Sequence, residues 1–137
     1  MPFKHEKFVA KVKDENPEHL EADERVQEAV PGQTSTVHTT PIYAIVDSVR
    51  RLAGKIQSRL IVLTDRNLYL AATGMTSPWR ITEVKVRYPR SEAGARLREL
   101  PGGIIEVDGE RIHFALGSQK HAKALVKAAG GGSEPAE

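Results

Sequence analysis

Two short apolar runs separated by four polar residues constrain this chain more than anything else in it: Leu60-Ile61-Val62-Leu63, then Thr64-Asp65-Arg66-Asn67, then Leu68-Tyr69-Leu70. Read physically, this is a β-hairpin: a buried strand, a tight turn and a return strand. Thr64, Asp65 and Asn67 suit a type I turn, because short polar side chains of this kind hydrogen-bond the local backbone. Asp65 is therefore read as a local capping residue, not as a catalytic carboxylate. Strands are expected at 57–64 and 67–72.

Downstream, the pattern keeps a period of two. Val84, Val86 and Tyr88 alternate with Glu83, Lys85 and Arg87, which predicts a strand over 79–88 that Pro89 stops. Residues 89–103 leave two readings open, a short strand at 95–100 or a loop. Residues 104–116 form a second hairpin around Asp108-Gly109, a dipeptide that tolerates positive φ at both central positions. At Gly117-Ser118 the period changes to 3.6. Ala122, Leu125, Val126 and Ala129 then share one face of a helix over 118–129, with Ser118 as its N-cap and Gly130 as its stop. Residues 131–137 read as a disordered tail by composition.

Upstream, residues 1–20 form a polar, loosely held extension in which Phe3, Phe8 and Val12 attach one short helix to the body, broken at Asn16-Pro17. A first strand is expected over 24–30, closed by Pro31-Gly32, and a Thr/Ser-rich loop over 33–40. Thr40-Pro41 then resembles a helix start, and Ile42, Ile45, Val46, Val49, Leu52 and Ala53 follow at helical spacing up to Gly54. Arg50, Arg51 and Lys55 crowd the C-terminal end of this helix over 41–53, where cations suit the helix dipole.

At 137 residues the chain is one domain's worth, and it has no cysteine, so disulfides and thiolate chemistry are out. No apolar run reaches the roughly 20 residues of a membrane span, and the N-terminus has no signal-like apolar stretch, so a cytoplasmic protein is expected. The net charge of +2 conceals a gradient: −3 over 1–30, +6 over 31–100 and −1 over 101–137. A basic middle suits phosphate or an acidic headgroup, and also an ordinary solvated surface.

The order of elements, with Val62-Leu63-Thr64-Asp65-Arg66-Asn67-Leu68-Tyr69-Leu70 at its centre, resembles the pleckstrin-homology (PH) superfold in its bacterial, GRAM-like branch. Ile81-Thr82-Glu83-Val84-Lys85-Val86 is similar to that branch's next strand. Gly109-Glu110-Arg111-Ile112-His113-Phe114-Ala115-Leu116 and the helix after it are similar to its closing strand and helix. The resemblance spans about 20–130 and implies a mainly β fold: a partly open antiparallel barrel over 21–130, capped by the C-terminal helix, with an extra helix in the β1–β2 connection. It implies binding or scaffolding, not chemistry. The region before Arg59 lacks the basic strand pattern of phosphoinositide-binding members, and the final helix lacks their usual Trp, Trp79 standing elsewhere as a core or rim residue.

The expected function is thus a non-enzymatic module that docks peripherally on membrane lipid, at the inner membrane face, or on a protein partner. Its candidate contacts are Ile42, Ile45, Val46, Val49, Arg50, Arg51 and Lys55. A helix packed on its own barrel is the competing reading of the same stripe. A homo-oligomerising adaptor without lipid binding is the alternative function. Nucleic-acid binding through Lys85, Arg87, Arg90, Arg96 and Arg98 is disfavoured, because aromatic residues are not interleaved with these charges. No catalytic residue, cofactor or metal is expected. No pair among His5, His19, His38, His113 and His121 has the i, i+4 spacing with an acid that a zinc helix uses, and all five are read as exposed.

Overall fold

An unbroken apolar run such as Leu60-Ile61-Val62-Leu63 needs cover on both sides, because successive strand residues point to opposite faces. The computed structural model, which describes residues 5–21, 23–34, 57–74, 76–130 and 132–133, shows that cover. Helix α1 (His5–Glu15) is followed by β1 (Val26–Gln33), β2 (Ser58–Thr64), β3 (Asn67–Thr73) and β4 (Ile81–Pro89). A 3-10 turn (Arg90–Glu92) leads into a one-turn helix α2 (Ala93–Arg96). After it come β5 (Arg98–Leu100), β6 (Ile104–Val107), β7 (Glu110–His113), α3 (Leu116–Ala129) and β8 (Gly132–Ser133).

The strands form one sheet in the order β4-β3-β2-β1-β7-β6-β5-β8, with β1 to β7 antiparallel and β8 parallel to β5. On one face Ile61, Leu63, Leu68 and Leu70 pack with Ile105, Ile112 and Phe114 beneath Ala122, Leu125 and Val126 of α3. On the other face Leu60, Val62, Tyr69 and Ala71 pack with Phe8 and Val12 of α1, and with Leu20 and Ile81. The central hairpin is therefore buried on both sides, and α1 supplies the second lid.

The hairpin and the alternating strand form where the sequence predicts them. Asp108 and Gly109 both adopt positive φ, 53° and 78°, as their turn requires. Gly130 ends α3 in the left-handed conformation at φ 85°. Other expectations need correction. β1 starts at Val26 and continues through Pro31-Gly32, which lie opposite Leu60 and Arg59. Gly32 serves a close approach and not a turn: a Cβ there would stand 2.6 Å from Ile112 Cγ2 and 2.8 Å from the His113 carbonyl. α3 starts at Leu116 without a side-chain cap, and the Ser118 N–H already bonds the Ala115 carbonyl at 2.8 Å, so Ser118 lies inside the helix. The open stretch 89–103 is part helix and part strand.

The sheet is open and not a closed barrel. Among the described residues no ladder joins β4 to β5, because Pro89 ends the β4 ladder and the 3-10 turn with α2 carries the chain away first. Among the described residues β1 and β7 meet through a single residue pair, Gln33 with His113. α3 spans this thin joint and packs against β1. The helix expected at 41–53 lies outside the described residues. No helix among the described residues is long and apolar enough to cross a membrane.

Candidate functional site

The predicted contact residues Ile42, Ile45, Val46, Val49, Arg50, Arg51 and Lys55 also lie outside the described residues. Arg59, which ends the same basic region, is buried and fully engaged: it donates to Glu110 at 2.9 Å, to the Gln57 side chain at 2.7 Å and to the Ser58 carbonyl at 3.1 Å. It has no free face for a headgroup.

The unclosed seam between β4 and β5–β6 leaves a groove of about 490 Å³. Tyr88, Arg96, Arg98, Glu106 and Asp108 are among its lining residues. The Tyr88 hydroxyl donates to Asp108 Oδ1 at 3.1 Å and so ties β4 to the β6–β7 turn. Burial, and then this bond, push the Tyr88 phenol up from its ordinary value. The Arg96 guanidinium lies 4.7 Å from the Tyr88 ring centroid and bonds Glu92 at 3.0 Å. Arg98 pairs with Glu106 at 3.5 Å. Arg90 donates to the Ala128 carbonyl at 2.7 Å. Arg90, Arg96 and Arg98 are thus held by intramolecular partners, while Lys85, with Glu83 at 4.0 Å, and Arg87 stand exposed on β4.

A second constellation joins residues far apart in sequence. His5 at the start of α1, Glu28 of β1 and His121 of α3 present ligand-capable atoms that all lie within 4.8 Å of one another. The His5 ring pairs with the Glu28 carboxylate through Nε2 and stacks on His121, with centroids 3.5 Å apart and planes 7° from parallel. Glu28 Oε1 also accepts from the Ala29 N–H at 3.2 Å, which orients the carboxylate. All three residues are half-buried, and His19 and His113 are half-buried too, so the reading of exposed histidines does not hold for these four. His38 lies outside the described residues. Burial first, and then His5, push the His121 imidazole down, with Glu28 pulling the other way. A cavity of about 370 Å³, walled by Phe8 and Pro31 and rimmed by Ser118 and Lys120, opens beside the two rings. No spacing rule finds this group, because its members meet only once the two helices have docked on β1.

Glu24 forms a third polar cluster, and its role is structural. Its carboxylate is fully buried and accepts from Thr64 Oγ1, from Tyr69 OH at 2.8 Å, from Asn67 Nδ2 at 2.9 Å and from the Glu21 N–H at 2.9 Å. Burial pushes the carboxyl up, but these bonds together hold it below its ordinary range. The hairpin tip is thereby locked to the segment that leads into β1. Asp65 takes part in the same lock: it accepts from the Arg25 N–H at 2.9 Å. Local capping falls to Thr64, whose hydroxyl accepts from the N–H groups of Arg66 and Asn67 at 3.1 and 2.9 Å. Trp79 is a rim residue. Its indole donates to Glu15 at 3.0 Å, and the Lys11 ammonium lies 4.1 Å from its ring centroid.

Comparison with family models, with curated proteins and with solved structures found no match to this chain.

Proposed function

We propose that the chain is a non-enzymatic binding module of PH-like architecture, whose partner is an extended, acidic protein segment taken along β4. The strand order and the C-terminal helix against β1 support the PH-like reading. The observation that carries the binding mode is the outer edge of β4, nine residues long and unpaired among the described residues, lying beside the seam groove. Such an edge offers a row of backbone donors and acceptors, and an added strand satisfies them. Lys85 and Arg87 outweigh the one acid on the same face, Glu83, which lies 4.0 Å from Lys85, so the edge is net basic and favours a segment of opposite charge. The groove's arginines are already paired with Glu92 and Glu106 instead of converging on one point, which supports binding over catalysis.

The test is fluorescence anisotropy with extended acidic peptides and with basic peptides of equal length. The acidic set binds, weakens as salt rises, and weakens roughly tenfold in Lys85→Glu/Arg87→Glu. These two residues are exposed, so the variant keeps its fold. Binding to phosphatidylserine vesicles that is equal for wild type and variant, with no peptide binding, overturns the reading in favour of lipid. A salt-independent dimer in light scattering, again with no peptide binding, overturns it in favour of self-association.

A further inference from the structure

We propose that His5, Glu28 and His121 form a binding site for one divalent transition-metal ion of borderline softness, with Zn2+ as the reference, and that the ion clamps α1 and α3 to β1. Two imidazoles and one carboxylate suit Zn2+, Co2+, Ni2+ or Cu2+, whereas Mg2+ and Ca2+ prefer shells made of oxygen. Ligands at a tetrahedral Zn2+ stand about 3.3 Å apart, given metal–ligand distances near 2.0–2.1 Å. The donor atoms here already lie within 4.8 Å. Converging on one ion takes a tilt of the two stacked rings, so that their lone pairs meet instead of running side by side.

The surroundings fit such a site. Glu28 is oriented by the Ala29 N–H, as ligating carboxylates generally are by an outer hydrogen bond. Phe8 and Pro31 make a partly apolar wall, and the adjoining cavity of about 370 Å³ leaves room for a water or an external fourth ligand. Lys120 at the rim is the one charge among the cavity's lining residues that opposes a cation, and it is exposed to solvent. An ion pair between His5 and Glu28 alone would account for two of the three residues, but it gives His121 no reason to bring a second imidazole onto the first.

The experiment uses the tag-free full chain, titrated with zinc sulfate by calorimetry above the histidine pH range, with magnesium chloride as the control. One Zn2+ binds per chain, and at a hundredfold excess over Kd it raises Tm by on the order of 5–10 °C, while Mg2+ does neither. His121→Ala and His5→Ala each weaken Zn2+ binding tenfold or more, on the order expected for losing a ligand. His113→Ala leaves binding unchanged. Co2+ added to the wild type gives the visible band of a tetrahedral site, a readout that stands even where an alanine variant folds poorly. Absence of heat and of any Tm shift with Zn2+ overturns the proposal. So does Zn2+ binding that survives both His5→Ala and His121→Ala, which would place the ion on other histidines.

Discussion

Glu24 is a carboxylate with no solvent exposure, kept charged by two hydroxyls, an amide side chain and a backbone N–H. Glu24→Gln preserves its shape but turns an NH2 group toward donors that then lack an acceptor. Its cost is about 2–3 kcal/mol, read as a lower urea midpoint with an unchanged slope. The same carboxyl fixes a pH dependence. Its folded pKa is lowered from 4.5, so the folded state binds fewer protons than the unfolded one there. The stabilisation is complete above 4.5 and drains away as pH falls through the lowered value. Glu24→Gln therefore flattens the acid limb of a stability-against-pH curve; an unchanged limb would show that the carboxylate does not carry it. At this scale the sequence was half legible. Thr64-Asp65-Arg66-Asn67 announced a turn, yet the division of labour between Thr64 and Asp65 depends on Arg25, a neighbour only in the folded chain.

At the scale of elements, α1 is what makes the outer face of the central hairpin possible. Phe8→Ala removes its largest buried ring and costs about 3 kcal/mol, seen as a fall in Tm of roughly 10 °C. A loss of a degree or less would mean that α1 contributes little to the folded state. The two hairpins, the alternating strand and the last helix were legible because their periods of 2 and 3.6 are written in consecutive residues. β1 was misplaced at both ends because Glu24 and Gly32 act against partners that local patterning cannot see. The groove and the histidine cluster were illegible for the same reason: each is made of side chains from three or more elements and exists only where those elements meet.

At the scale of the whole molecule, the described residues of the sheet form two ladders joined at one residue pair. β1 to β4 pair extensively, β5 to β7 pair among themselves, and among the described residues only Gln33 with His113 links the groups, under the span of α3. Cooperative units follow such boundaries. Native-state hydrogen exchange is expected to find the amides of β2 and β3 slowest, with those of β5 to β7 exchanging at lower opening free energy. A single uniform protection level across both ladders would contradict this. Burial of the central hairpin on both faces also bears on how such a chain can change over time. A strand with a solvent side can accept neutral replacements at every second position, as β4 can. From Leu60 to Leu63 and from Leu68 to Ala71 there is no second side, so any replacement there disturbs one lid or the other. Novelty in a chain of this shape has to be written at its edges and tips.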